Sequence, residues 1–442
     1  MTPAEALAAL RAAEAQEGAP DLAARRAALE KLRAVVLRRA EEVVAAVDAD
    51  FGGRAAEDTL LADVLVVAEA ARYAARRLHR WARPRRVSVP LPFLPSRAWV
   101  EHVPKGVVGV MAPWNYPLQL ALVPALEALA AGNRVCLKPS EATPRVAALL
   151  EEIVAEAWGP RLALVVQGGV EVARDFAAQP WDHLVFTGGT ETGRRVMAAA
   201  AENLTPLTLE LGGKCPALVL PGADLRKAAR AILAAKAVNA GQTCIAPDTV
   251  LLVSHRAAEF HAACRATGIG AAETAVINPV QAGRLDRIAG GATEALGDGP
   301  TPLRLAPARG ALAAEEIFGP VLAVEECADL GAALRWIAAR GHPLAIALFG
   351  ATRAEEEAVA AGTKSGALVV GRAMEHAAMP GLPFGGVGAS GFGRRGGEAG
   401  FREFSNPRAR VRHGRFALAR LLDPPRGDFA RKLARRLVGL KP

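Results

Sequence analysis

Apolar residues recur every three or four positions through residues 3–49 and again through 56–83, on a background of Ala, Leu, Arg and Glu. That spacing predicts an N-terminal layer of amphipathic helices, interrupted at Phe51-Gly52-Gly53. The Pro- and Arg-rich residues 80–95 cannot continue a helix and predict an extended connector or edge strand. Beyond Gly106 the pattern changes to short β-branched runs at 107–111, 135–138, 162–167, 183–187 and 207–211, separated by alanine-rich helical stretches. This alternation predicts a parallel α/β sheet. Further runs at 217–220, 250–253, 321–325, 344–349 and 367–370 predict a second α/β unit. Residues 289–314, dense in Gly, Ala and Pro, read as a loose surface connection, and no internal repeat is visible.

A chain of 442 residues exceeds one hydrophobic core, so two or three packed units are expected. Half its residues are apolar, yet no apolar run approaches the roughly 18 residues of a membrane span. The opening Met1-Thr2-Pro3-Ala4-Glu5 lacks the basic start and apolar core of an export signal, which makes a cytoplasmic location the expectation. Five scattered cysteines without CxxC spacing speak against a disulfide framework or a zinc centre, and no metal is expected. Cys136, Cys264 and Cys327 read as small buried hydrophobes, and His376, Trp158 and Trp181 as packing residues. His183 has no partner at metal-ligand spacing.

Charge alters the picture only at the end of the chain. Residues 402–442 hold twelve Arg or Lys against three acids, so the net +9 resides there and the preceding chain is neutral. A nucleic-acid surface would instead spread cations over a folded body, so nucleic acid is not an expected partner. After Leu421-Leu422-Asp423-Pro424-Pro425 comes a predicted helix with Phe429, Leu433, Leu437 and Leu440 on one face, flanked by Arg431, Lys432, Arg435 and Arg436. Such a helix is able to lie on an anionic membrane, but docking on the body or on another subunit is the preferred reading.

Candidate chemistry centres on Asn239-Ala240-Gly241-Gln242-Thr243-Cys244 and, about 30 residues upstream, Glu210-Leu211-Gly212-Gly213-Lys214. A cysteine is a strong nucleophile as thiolate, and a carboxylate nearby can collect its proton or activate water. The turn Thr187-Gly188-Gly189-Thr190-Glu191-Thr192-Gly193 follows a predicted strand and opens a predicted helix, an arrangement that offers backbone N–H groups to phosphate. Ala112-Pro113-Trp114-Asn115 and Lys138-Pro139-Ser140-Glu141 also stand at strand ends, where open α/β sheets bind ligands.

Together with Glu315-Glu316-Ile317-Phe318-Gly319-Pro320 and Pro383-Phe384-Gly385-Gly386, these ordered segments resemble the aldehyde dehydrogenase superfamily over nearly the whole chain, most closely its coniferyl aldehyde dehydrogenase branch near the class 3 enzymes. The resemblance implies an α/β fold with two parallel-sheet domains, one Rossmann-like for the cofactor and one catalytic, plus a small bridging and oligomerisation element. It places the helical layer and NAD(P)-binding domain at 1–87 and 101–209, the catalytic domain at 210–404, and the bridging element with the basic tail at 88–100 and 405–442. It further implies NAD(P)+-dependent oxidation of a hydrophobic aldehyde, aromatic or medium-chain, to the acid by a homodimer. Cys244 would form a thiohemiacetal and thioester, Glu210 would activate water, and Asn115 with the Cys244 backbone N–H would form the oxyanion hole. Lys138 and Glu141 match adenosine-ribose contacts, and Trp114 and Leu211 cofactor-site positions. Gly188, Gly189 and Gly193 match the phosphate turn, and Glu316 with Phe318 the nicotinamide-ribose clamp. NAD is the expected cofactor over NADP, because Glu141 would repel a 2′-phosphate.

Some residues depart from the family pattern. Gly189 stands where many relatives carry a pyrophosphate-binding serine, Gly371-Arg372 where they carry Asn-Asp, and Arg395-Gly396 where they carry an aromatic-histidine pair. Only 70 residues separate Cys244 from Glu315, a shortened catalytic segment. These departures keep a second reading open, a weakened relative retained for binding or assembly. A CoA-acylating enzyme is a third, against which the water-activating Glu210 argues.

Overall fold

The computed structural model describes the chain apart from residues 292, 415–419, 421–422 and 442. Among the described residues, a six-stranded sheet runs in the order Gly391–Phe392, Leu207–Leu211, His183–Gly188, Val107–Met111, Arg134–Lys138, Ala163–Val165. Every pairing in it is parallel except that of Gly391–Phe392 with Leu207–Leu211. A seven-stranded sheet follows the order Glu294–Ala295, Arg304–Pro307, Val321–Cys327, Thr249–Val253, Pro216–Val219, Ala345–Phe349, Ala367–Val370. The central strands of both are buried on both faces, as their unbroken apolar runs require. An antiparallel sheet of Arg85–Val87, Arg97–Pro104 and Ser405–Arg412 stands apart from them.

The N-terminal layer forms as its periodicity predicts, with two breaks the pattern did not show. Helix Pro3–Glu17 stops at Gly18, whose φ of 69° suits a residue without Cβ, and Asp21 caps the next helix, Leu22–Arg38. That helix and Ala40–Phe51 meet at Arg39. Leu29, Leu32, Val36, Val43 and Val47 all point into one core with Leu122, Leu126 and Leu129 of helix Gln119–Ala131. The helical layer is therefore packed directly on the first sheet.

Several expectations need correction. Residues 289–314 are not a loose connection, because Arg304–Pro307 is a strand parallel to Val321–Val324, with Leu303, Leu305 and Ala306 buried. Helix Leu65–Trp81 extends into the expected connector 80–95, which then contains only the short strand Arg85–Val87 and a turn at Leu91–Phe93. Strand Arg97–Pro104 runs through the expected boundary at 100/101, and Leu207–Leu211 through that at 209/210. The tail helix spans Asp428–Leu437, so Leu440 lies beyond it; Ala430 is buried, while Phe429 and Leu437 are exposed. Leu421 and Leu422 of the tail motif lie outside the described residues. None of the described helices is long and apolar enough to cross a membrane.

Candidate active site

Cys244 lies at the meeting of two cavities. One, of about 250 Å³, is a cleft at the carboxyl ends of the first sheet's strands, lined by Trp114, Asn115, Thr187, Gly188, Gly189, Glu210, Leu211, Glu316 and Phe318. The other, of about 340 Å³, is a mainly apolar channel formed by Leu61, Val66, Tyr116, Ile245, Met374 and Phe384, with Arg372, Glu375 and Arg395 as its charged members. The thiol is the point where a ligand in one can meet a ligand in the other.

The segment around Cys244 is held in an unfavourable shape. Asn239, Ala240 and Gly241 are consecutive left-handed residues with φ of 51°, 52° and 71°. Only the glycine adopts this freely, and each L-residue costs roughly 1–2 kcal/mol. Asp58 Oδ2, from the N-terminal layer, accepts from Asn239 N at 2.8 Å and from Thr274 Oγ1 at 2.9 Å. Asn239 Nδ2 donates to the carbonyls of Asn115 at 2.9 Å and Gln242 at 3.2 Å. The buried Gln242 side chain bridges Asn239 O and Ala275 O and accepts from Ile277 N. Arg54 Nη1 donates to Asn115 O at 2.8 Å, and its Nη2 pairs with the buried Asp63 at 3.2 Å. Asn115 Nδ2 donates to Gln242 O at 3.1 Å, which ties the strand-end asparagine to the cysteine segment.

Burial shifts the reactive groups toward their neutral forms. Burial, then Glu210, Glu316 and Cys215, push the Cys244 thiol well above the usual thiol range, and Arg395 opposes them. Glu210 is buried at the end of its strand, and among the described residues neither of its oxygens has a hydrogen-bond partner. Burial raises its pKa, countered by Arg395, whose Nη2 is 3.6 Å away, and by the Cys244 thiol. Burial and Asp248 push Glu316 up to about 8, with the Gly213 N–H and Arg284 opposing.

The cleft bears the marks of a dinucleotide site. Thr187 Oγ1, Glu316 Oε1 and both Glu210 oxygens are buried polar atoms without hydrogen-bond partners among the described residues, and these side chains line it. Gly189 caps helix Thr190–Ala201, and a Cβ there would meet nothing within 4 Å. Gly193 packs so closely on Leu211 that a Cβ would lie 2.6 Å from its Cδ2, which seats the helix N-terminus against the strand. Glu316 presses on Gly212 where any side chain would overlap its carboxylate. Trp114 and Phe318 meet edge to face at 5.5 Å. Lys138 and Glu141 do not line the cleft but pair at 3.0 Å beside it, where Lys138 O accepts from Ala112 N. These residues fit an NAD(P) cofactor.

Sequence reasoning missed several residues that shape the site. Gln281 and Arg284, on helix Pro279–Ala289, line the cleft, and Arg284 donates to the carbonyls of Glu316 and Ile317 at 3.0 and 2.6 Å. Lys214 pairs with buried Asp248 and donates to Leu312 O and Glu315 O, and Asp248 Oδ2 accepts from Ile317 N at 2.7 Å. Asp58 holds the cysteine segment from 181 residues away, and Arg54, paired with Asp63, holds Asn115 from 61 residues away. Lys214 stood within the Glu210–Lys214 motif; the others carried no local signal. Among the described residues, no group of three His, Cys, Asp or Glu is arranged to hold a metal.

Two α/β units, with a cysteine between a cleft that fits a dinucleotide and a mainly apolar channel, give the architecture of a dinucleotide-dependent enzyme. The sequence profile of the aldehyde dehydrogenase family matches residues 1–281 and 289–409, and the chain belongs to that family. It is 41% identical to a probable coniferyl aldehyde dehydrogenase of Pseudomonas aeruginosa, across 97% of this chain and 94% of that one. Among solved structures, the substrate-bound state of Staphylococcus aureus AldH superposes with a TM-score of 0.91 at 29% identity, covering 98% of each chain. An indole-3-acetaldehyde dehydrogenase in complex with NAD+ gives 0.85 at 26% identity, over 93% of this chain and 89% of that one. The protein is an NAD(P)-dependent oxidoreductase acting on aldehydes.

Proposed function

We propose that the protein oxidises an aromatic aldehyde of the coniferyl type to its acid, with Cys244 as nucleophile and Glu210 as the base that activates water. The observation carrying this reading is the position of Cys244, with the Glu210-bearing polar cleft on one side and the apolar channel on the other. Tyr116, Phe384 and the aliphatic channel wall suit a flat aromatic body. The name of the Pseudomonas relative points the same way.

In this reading Cys244 Sγ adds to the aldehyde carbon and its proton passes to Glu210. Asn115, whose amide has a second N–H beyond the one given to Gln242, steadies the developing oxyanion with the Cys244 backbone N–H. The chemistry that NAD(P)+ supplies when bound is acceptance of a hydride from the thiohemiacetal carbon. Glu210 passes that proton to solvent and then draws one from water as the water oxygen attacks the thioester carbon, the C–S bond breaks, and Cys244 leaves as thiolate. Lys138 and Glu141 would hold the adenosine ribose, Gly188, Gly189 and Gly193 the pyrophosphate, Trp114 and Leu211 the cleft walls, and Glu316 with Phe318 the nicotinamide ribose. Glu141 favours NAD+ over NADP+.

The strands suggest domains divided near 104 and 211 rather than at 100 and 209, with Gly391–Phe392 returning to the cofactor sheet. A cytoplasmic homodimer joined through the sheet that contains Ser405–Arg412 completes the proposal, with the tail helix docked on protein rather than on membrane. The test is NADH formation from coniferyl, benzyl and medium-chain aldehydes with NAD+ and NADP+. Fastest turnover with coniferyl aldehyde and NAD+ is expected. Silence from folded, thiol-reduced protein that binds NAD+ would replace it with the weakened-relative reading.

A further inference from the structure

Arg395 stands where the family pattern has an aromatic residue, and it is almost wholly buried beside the catalytic carboxylate. The chain places it firmly. Phe384 N donates to Arg395 O at 2.7 Å and Arg395 N to Phe384 O at 2.9 Å, pinning the two backbones together. The guanidinium lies over the Phe384 ring, 4.8 Å from its centre. On one side is Glu210 at 3.6 Å, with side chains only 5% and 2% exposed for Arg395 and Glu210. Glu127 of helix Gln119–Ala131, a buried carboxyl, accepts from the next two residues of the chain, Gly396 N at 2.9 Å and Gly397 N at 3.0 Å. Glu127, Arg395, His376 and Phe384 border a separate pocket of about 40 Å³.

We infer that Arg395 is a positioning residue shared between two buried carboxyl groups, Glu210 and Glu127, and that this sharing sets the charge on Glu210 as it activates water. The inference rests on the reading of Glu210 as base. One cation cannot fully neutralise two buried anions, so charge on Glu127 weakens the hold on Glu210. Arg395 Nε, Glu127 Oε2 and both Glu210 oxygens lack hydrogen-bond partners among the described residues, so the coupling is Coulombic rather than a saturated network. Glu127 is pushed up to about 7 by burial, against Arg395 and the two glycine N–H groups, and so changes charge near neutral pH. The charged or titratable groups facing Glu210 are Arg395, Cys244 and Glu316. Those facing Arg395 are Glu210, Glu127 and Cys244, with His376 stacked on the far partner Phe384, and Arg372 paired to Glu375 along the channel.

The two carboxyls predict opposite effects. An opposite charge within about 4–6 Å lowers a carboxyl pKa by about 1–3. In Arg395→Gln the acid limb of acyl-enzyme hydrolysis, measured against pH in single turnovers of the full chain, should move up by about 1 pH unit or more. In Glu127→Gln it should move down, because Arg395 then serves Glu210 alone. Arg395→Lys should restore a profile near that of the unaltered protein. If Arg395→Gln does not fold, Glu127→Gln and Arg395→Lys carry the test. Limbs that stay put, or that both move the same way, overturn the inference even where rates fall. Glu210→Gln separates the two claims: if it blocks hydrolysis after one NADH while the other profiles stay flat, only the Arg395 inference fails. If Glu210→Gln turns over normally, the base reading fails and the inference with it.

Discussion

Replacing Asp58 with alanine leaves every side chain of the cleft and channel in place and removes only what holds the Cys244 segment from behind. The half-buried carboxylate accepts from Asn239 N at 2.8 Å and Thr274 Oγ1 at 2.9 Å. Hydrogen bonds to a charged group are worth about 1.5–3 kcal/mol, and the lower end suits a site that solvent reaches. Two such bonds give about 3 kcal/mol, comparable to the strain of Asn239 and Ala240 at roughly 1–2 kcal/mol each. With the anchor gone, the left-handed segment is free to relax and the competent geometry becomes a minor population. A loss of 3 kcal/mol is about 100-fold, and water entering beside Asn239 N reduces it, so the expected fall in the single-turnover rate of NADH formation is about 10- to 100-fold. The assay is stopped-flow NADH absorbance at saturating NAD+, with melting temperature measured in parallel. A rate within threefold of the parent would refute the reasoning, as would a loss matched by global unfolding.

Other changes probe the cofactor cleft and the buried charges. Gly189→Ser places a side chain where a Cβ meets nothing within 4 Å at a helix N-cap, so it should fold and bind NAD+ more tightly; calorimetry showing equal or weaker binding contradicts the phosphate-turn reading. Lys138→Ala removes the partner of Glu141 and should raise the NAD+ dissociation constant while leaving thiol alkylation at Cys244 unchanged; an unaltered constant rejects the ribose contact. Glu127, at about 7 when folded against an ordinary 4.5, binds more protons folded than unfolded between those values. Its contribution is therefore fully present below pH 4.5 and lost as pH rises to about 7, with a ceiling near 3 kcal/mol. Glu127→Gln should flatten the fall in melting temperature across that window; parallel curves for both proteins would contradict this burial argument.

What the sequence disclosed follows from how local each signal is. The strands Val107–Met111 and Thr249–Val253 fall where their apolar runs place them, because a strand buried on both faces writes its burial into consecutive residues. Arg304–Pro307 escaped notice because four residues ending on a proline, in a Gly- and Ala-rich stretch, show no periodicity; only its parallel register with Val321–Val324 makes it a strand. Cys244, Glu210 and Asn115 stood out through their motifs. Asp58 did not, because a carboxylate on an amphipathic helix looks solvated until the helix is docked, and Arg54 stands in the loop between two helices, where a guanidinium looks solvated too. Arg284 was hidden for the same reason. Arg395 was visible as a departure from the family pattern, but its placement between Glu210 and Glu127 depends on Phe384 and on a helix more than 250 residues earlier.

The central claim is that Cys244 carries the acyl group and Glu210 releases it. Glu210→Gln should therefore give a burst of one NADH per active site followed by slow turnover. Intact mass after rapid quenching should show the acyl group of the aldehyde, removed from the chain when Cys244 is also replaced by alanine. Steady turnover without a burst, or an adduct that survives the loss of Cys244, would contradict the account.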